Sequence, residues 1–154
     1  MRPRLLVLVA LGALACGGGR GSQTPAPQSL PESLAQFMSA VKANDLEHMK
    51  ALWGTERGPA SGWMKSEELK QRLTVLQIYL NHVGYRVIEG PLPVANKDER
   101  RVFRVELQRA TGCNFVFPVD LVRAKSGSWL VNDVHLDIVT NPAGACKPGP
   151  GTGS

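Results

Sequence analysis

The stretch Trp129-Leu130-Val131-Asn132-Asp133-Val134-His135-Leu136-Asp137-Ile138-Val139 decides the fold that we expect for this chain. Apolar and polar side chains alternate along it, with Asn132 as the exception. The apolar positions that share one face are Leu130, Val134, Leu136 and Ile138. The polar positions on the other face are Asp133, His135 and Asp137. A period of two with one apolar face is typical of a strand that covers a core on one side.

The turns before this strand predict how it pairs. A two-residue turn at Ser126-Gly127 places Asp120 opposite Asp133. A three-residue loop at Thr111-Gly112-Cys113 places Arg104 opposite Asp120. Two carboxylates on facing strands repel each other, and Arg104 beside them would offset that repulsion. The sequence therefore predicts a polar row of Arg104, Asp120 and Asp133 on the face away from the core.

The triplet Asp133, His135 and Asp137 has two interpretations. Side chains two residues apart on a strand share a face, and a histidine between two aspartates offers the donors that bind a divalent ion. The alternative is a solvated face or a dimer contact. Because the register places the triplet outside the core, we prefer the contact face, and we expect no metal ion and no cofactor.

Three helices are predicted upstream. The capping box Ser29-Leu30-Pro31-Glu32 opens the first, whose apolar residues recur at helical spacing from Leu34 to Val41. A short helix covers Asp45–Trp53, with Gly54 as its left-handed stop. The longest helix starts at Ser66. Its expected buried side comprises Leu69, Leu73, Leu76 and Leu80, widened by Val75, Ile78 and Tyr79.

The pattern then changes to strands. Tyr85–Glu89 is followed by Pro91 and Pro93, which confine this segment to a sheet edge. Arg101–Arg109 and Phe115–Leu121 alternate in the same way as the last strand. Because helices and strands are segregated along the chain, we expect an α+β fold, with three N-terminal helices packed on an antiparallel sheet of about four strands.

The N-terminus is a targeting segment. Arg2 and Arg4 precede a short apolar run, and Cys16 follows small residues, so residues 1–15 are predicted to be a signal peptide. The motif resembles a bacterial lipobox, which implies that Cys16 is acylated and anchors the chain in the lipid bilayer. Gly17 after the cysteine implies the outer membrane. An ordinary secreted protein is the alternative.

Flexible segments flank the expected domain. Residues 16–28 are rich in Gly, Ser, Pro and Gln and are predicted to be a tether, and residues 141–154 a tail of the same kind. The domain itself is predicted to span residues 29–140. Without Arg2 and Arg4 the chain has 16 basic and 13 acidic residues, and the basic ones are scattered. We therefore expect no nucleic-acid partner.

Two cysteines remain if Cys16 carries lipid. Cys113 falls at a hairpin tip, and the predicted register places it beside Thr140. Cys146 follows six residues later in an exported chain, where disulfides persist. The sequence therefore predicts a disulfide between Cys113 and Cys146, worth about 2–4 kcal/mol.

The order of elements resembles the nuclear transport factor 2-like superfamily, which includes ketosteroid isomerases and polyketide cyclases. The segments that carry the resemblance are Phe37–Asp45, Leu52-Trp53 and Trp129–Leu136. The resemblance implies a cone that encloses a pocket and an outer sheet face that often forms a dimer. It does not imply an activity, because this fold serves isomerases, cyclases, dehydratases, carriers and assembly modules.

The candidate ligand-binding residues cluster at helix ends and loops, where the cone would open. They are Trp53, Trp63, Tyr79, His82 and Tyr85. One interpretation is an aromatic pocket for a small apolar ligand; the other is ordinary packing, which we prefer.

Two functional hypotheses follow from the sequence. The first is a membrane-tethered, non-catalytic binding or assembly domain, which could dimerise through Arg104, Asp120, Asp133 and His135. The alternative is a small isomerase, cyclase or dehydratase that uses Tyr79, His82 and Tyr85. Convergent ionisable side chains in an enclosed pocket would favour the enzyme.

Overall fold

The computed structural model describes residues 29–139. Three α-helices are followed by a four-stranded antiparallel sheet, which confirms the predicted α+β class. The predicted signal peptide, tether and tail lie outside the described residues and stay predictions. Among residues 29–139, none of the helices combines the length and hydropathy that a membrane crossing requires.

The first helix, α1 (Leu30–Ala43), begins where the capping box predicts. Ser29 is its N-cap, and the Ser29 Oγ accepts a hydrogen bond from the Glu32 N–H at 3.4 Å. Asn44 ends the helix in the left-handed region, with φ at 55°. The buried side of α1 includes Leu34, Phe37, Met38 and Val41, as the spacing predicts.

The second helix, α2 (Leu46–Leu52), is capped by Asp45 and does not end at a left-handed glycine. Trp53 is extended, with φ at −98°. Gly54 itself does not have a positive φ, so the prediction of a left-handed stop there is wrong. Gly54 is needed for a different reason, since a Cβ there would lie 2.8 Å from Leu130 Cδ1.

A small hairpin follows α2. Its strands are β1 (Gly54–Thr55) and β2 (Gly58–Pro59), and a 3₁₀ turn over Ala60–Gly62 leads on to the third helix. Trp53 forms a parallel bridge with Val131, so this hairpin lies along the last strand of the main sheet.

The third helix, α3 (Ser66–Leu80), buries its four leucines as predicted. Val75 and Ile78 do not widen the stripe, because their exposed fractions are 47% and 49%. Each lies two positions from a buried leucine, and two positions correspond to about 200° around a helix. Both side chains therefore face away from the core.

The four strands of the main sheet follow in chain order. They are β3 (Gly84–Val94), β4 (Lys97–Gln108), β5 (Asn114–Arg123) and β6 (Trp129–Val134). β3 is an edge strand, as Pro91 and Pro93 predict. The helices cover one face of this sheet, called the inner face; the opposite face is called the outer face.

The register of β5 and β6 is as predicted at one end and shifted at the other. Asp120 lies opposite Asp133, which confirms the prediction. Beyond that pair the register shifts by one residue, because Asn132 is the extra residue of a β-bulge. The bulge brings Val131 into the main core. It places Leu130 on the outer face, in a separate cluster with Val122 and Ala124, so the inner-face prediction for Leu130 is wrong.

β6 ends five residues earlier than the alternation suggests. Residues 135–139 form a turn, in which the Ile138 N–H donates to the His135 carbonyl at 3.1 Å. Ile138 is 46% exposed, so its expected place on the core face is wrong. Leu136 still packs against the core.

The pairing of β4 and β5 differs from the prediction by two residues. Gln108 pairs with Asn114, and the Arg109 N–H donates to the Cys113 carbonyl at 3.0 Å, so the loop is longer than three residues. Arg104 consequently lies opposite Pro118 and not opposite Asp120. A shift of two keeps every side chain on its predicted face.

Candidate functional site

The five candidate ligand-binding residues do not line one common pocket. Trp53 is buried at the end of α2, with its ring centroid 6.1 Å from that of Phe37. Trp63 is 38% exposed, and the Arg57 guanidinium lies 5.4 Å from its ring centroid. Tyr79 packs beside the core, where its backbone carbonyl accepts a hydrogen bond from Arg109.

His82 and Tyr85 are the two candidates that the structure brings together. Their ring centroids are 5.7 Å apart, with the rings edge to face at 86°. His82 is buried, and its Nδ1 lies 2.8 Å from the Leu80 carbonyl oxygen. Since a carbonyl only accepts hydrogen bonds, Nδ1 carries the proton and Nε2 is left as an acceptor.

Burial changes the acid–base behaviour of this pair. It lowers the pKa of His82 below the usual 6.5, and the nearby charge of Lys42 acts in the same direction. The hydrogen bond to Leu80 opposes that shift. Burial also raises the pKa of Tyr85. His82 is therefore held in its neutral form near pH 7.

An open cleft of about 360 Å³ lies beside this pair, between α1 and the start of β3. Lys42 contributes a cationic group, and its Nζ donates to the Val83 carbonyl at 2.8 Å. The lining residues are Ala35, Met38, Ser39, Lys42, His82, Gly84 and Tyr85. Of the three residues named for an enzyme, Tyr79 is absent from this lining.

The space between the helices and the inner face is filled by apolar side chains. Phe37, Met49 and Phe117 are among its fully buried residues. The buried polar residues of the described chain are Ser33, His82 and Arg109. Ser33 Oγ donates to the Trp129 carbonyl at 2.8 Å, so that hydroxyl is used structurally. Within residues 29–139, buried ionisable side chains do not converge on an enclosed pocket.

An apolar groove of about 420 Å³ lies mainly on the outer face. Its lining residues are Leu92, Pro93, Val102, Arg104, Val116, Phe117, Pro118 and Ile138. Val116 and Ile138 are exposed, at 38% and 46%. The other end of the outer face is covered, because the β1–β2 hairpin packs over Leu130.

A polar network fastens that hairpin. Arg100 Nη2 donates to Glu56 Oε1 at 2.8 Å, and Arg100 Nη1 donates to Asn132 Oδ1 at 2.9 Å. Asn132 Nδ2 donates in turn to the Gly54 carbonyl at 2.8 Å. A backbone hydrogen bond, and then Arg100, hold the pKa of Glu56 below its usual value. These groups are engaged in holding the hairpin against the sheet.

Asp120, Asp133 and His135 form a cluster where β6 ends. One ligand atom from each lies within 4.8 Å of the others, and His135 Nε2 is 2.8 Å from Asp120 Oδ2. The predicted triplet of Asp133, His135 and Asp137 thus has a different third member. The register predicted that Asp120 lies opposite Asp133. It did not predict that His135 reaches Asp120, because in a strand that continued to residue 139 His135 would lie opposite Pro118. The turn after Val134 brings the imidazole to Asp120 instead.

The remaining predicted sites involve residues that the structure does not describe. Cys113 is buried at the end of the β4–β5 loop. Cys16 and Cys146 lie outside residues 29–139, so acylation and the disulfide stay predictions.

The helix order and the four-stranded antiparallel sheet are those that the resemblance to the nuclear transport factor 2-like superfamily implies. No protein-family model matches the chain, and no curated protein matches it. Among solved structures, it is similar to one from Campylobacter jejuni described as an NTF2-like transpeptidase, with a TM-score of 0.48 and 17% identity. The match covers 68% of this chain and 99% of that chain.

Proposed function

We propose that the chain is a lipid-anchored, non-catalytic binding or assembly domain of the bacterial outer membrane. The filled interior is the observation that supports this most directly. Catalysis requires a space for the substrate and polar groups that converge on it. Between the helices and the inner face, apolar side chains such as Phe37 and Phe117 occupy that space.

Acylation of Cys16 would tether the domain to the bilayer. In the producing bacterium we expect the Cys16→Ser variant to leave the membrane fraction, because its N-terminus offers no thiol for lipid attachment. Cys146→Ser is the matched control and should remain membrane-bound. Fractionation and the mass of the N-terminal peptide measure this; a membrane-bound Cys16→Ser variant would contradict the anchor.

The binding surface in this proposal is the open end of the outer face, and its occupant is a second copy of the chain. The groove there exposes apolar side chains that a partner would cover. Charges of both signs flank it, since Arg104 pairs with Glu89 and Arg86 pairs with Glu106. A two-fold dimer requires such a self-complementary surface, on which each arginine can meet a glutamate of the other copy.

Of the residues expected at a dimer contact, Arg104 lines the groove, and Asp120 pairs with the groove residue Val102. Asp133 and His135 cluster with Asp120. Val116→Glu should produce monomers, because it places a charge in the contact. Ile78→Glu, on the exposed side of α3, is the control and should remain dimeric. Sedimentation of the purified mature protein measures both; a monomeric wild type would overturn this surface.

The cleft beside His82 supports a second candidate function, a small pocket enzyme of the isomerase, cyclase or dehydratase type. A neutral imidazole with a free Nε2 is suited to accept a proton, and the Tyr85 ring lies against it. A small molecule that copurifies with the wild type and is lost from His82→Asn would favour the enzyme.

A further inference from the structure

The Asp120, Asp133 and His135 cluster combines the two donor types that transition-metal ions bind. We propose that these three side chains bind one divalent metal ion, and that Zn²⁺ suits the site best. The site would lie where β6 ends, at the border of the outer face. It does not depend on dimerisation, because one chain supplies all three ligands.

The distances in the cluster suit a shared ion. Zinc is bound tetrahedrally by imidazole nitrogen and carboxylate oxygen at about 2.0–2.2 Å, so two of its ligand atoms lie ~3.4 Å apart. His135 Nε2 and Asp120 Oδ2 are 2.8 Å apart, and the ligand atom of Asp133 is within 4.8 Å of both. In the bound form the neutral imidazole carries its proton on Nδ1, so that the Nε2 lone pair coordinates the ion.

The charges at this point of the sheet favour a cation. Asp120 and Asp133 are directly opposite on neighbouring strands, an arrangement that repulsion destabilises. Arg104 was expected to compensate, but it pairs with Glu89 at 3.2 Å. The Lys and Arg ion pairs within residues 29–139 include neither aspartate. Arg72 and Asp133 both line another cleft of about 380 Å³ without forming such a pair.

The backbone holds the ligands in place. The Val134 N–H donates to Asp133 Oδ1 at 2.8 Å, which orients that carboxylate and leaves Oδ2 for the ion. Asp120 is on β5, an inner strand, and its side chain is 19% exposed. The turn after Val134 fixes the backbone of His135, whose side chain is 39% exposed. Three protein ligands at a half-exposed position leave room for water on the ion.

The donor set indicates which ion is bound. A site made only of carboxylates would suit Mg²⁺ or Ca²⁺, whereas imidazole shifts the preference to Zn²⁺ and its neighbours. Histidine at position 135 therefore makes Zn²⁺ the appropriate probe.

The test is calorimetric titration of Zn²⁺ into the purified, tag-free mature protein, previously treated with a chelator. We expect one ion per chain with a dissociation constant in the micromolar range. Asp120→Asn, Asp133→Asn and His135→Gln should each weaken binding about tenfold or more. Asp137→Asn and His48→Gln are matched controls that should bind as the wild type does.

An NMR titration of the wild type keeps the test independent of how the variants fold. Zn²⁺ should shift the imidazole signals of His135 and leave those of His48 and His82 unchanged. Absence of saturable binding, or binding that the three substitutions do not alter, would overturn the proposal. Shifts confined to another histidine would overturn it as well.

Discussion

At the scale of single residues, His82 has two interpretations, a buried structural residue or a catalytic base. The sequence placed it at a helix end, where a histidine often interacts with the helix dipole. The structure buries it and fixes its tautomer through Leu80. Its lowered pKa follows from that burial, so the shift has a structural cause whether or not the cleft binds a ligand.

This burial predicts a pH dependence of stability. The pKa of His82 in the folded protein lies below 6.5. Just below that pH the unfolded chain therefore binds more protons than the folded protein does. The contribution of neutral His82 to the free energy of unfolding is therefore fully present above pH 6.5. It is lost as the pH falls through the folded pKa. His82→Asn keeps a donor for the Leu80 carbonyl and should remove this part of the pH dependence. Urea unfolding between pH 5 and 8 measures it; parallel profiles for both proteins would contradict the assignment.

At the scale of elements, the β1–β2 hairpin and the bulge at Asn132 form one unit. The bulge turns Leu130 to the outer face, and the hairpin covers it at Gly54. Arg100 joins the two through Glu56 and Asn132. The hairpin thereby closes one end of the outer face and leaves the groove as its open end.

Gly54→Ala should destabilise this unit. The new methyl group would meet Leu130 Cδ1 and the Gly58 backbone, and such overpacking costs about 1–3 kcal/mol of unfolding free energy. Gly62→Ala is the matched control, because nothing lies within 4 Å of a Cβ there. Chemical denaturation of both variants checks this, and equal stabilities would show that the close approach is not maintained.

Periodicity predicted the elements well and their ends less well. The leucines of α3 and the inward residues of β4 recur at their period, so the helix, the strand and their faces followed from the sequence. The bulge at Asn132 did not, because one extra residue leaves only a single break in alternation. Strand alternation also continues through Leu136 and Ile138, although the backbone there has already turned.

Part of the Asp120, Asp133 and His135 cluster could also be predicted from the sequence. The pairing of Asp120 with Asp133 could be predicted, because the length of the turn between β5 and β6 determines which residues of the two strands face each other. That His135 joins the two aspartates could not be predicted without knowing where β6 ends. That end depends on the packing around Val134. The five aromatic and imidazole candidates share a position near helix ends, but sequence spacing does not determine which helix ends lie together.

At the scale of the whole molecule, the interior is closed and the outer face is partly open. Apolar side chains fill the space under the helices, while the groove on the other side of the sheet exposes Val116 and Ile138. The proposed dimer surface therefore lies outside the core. The proposed anchor at Cys16 would hold that surface near the membrane.

The mass of the native, purified mature protein tests this account most directly, because it reports oligomeric state and bound molecules together. We predict twice the mass of one mature, acylated chain, with no non-covalently bound organic molecule. A single-chain mass, or an organic ligand carried by each chain, would contradict an assembly domain with a filled interior.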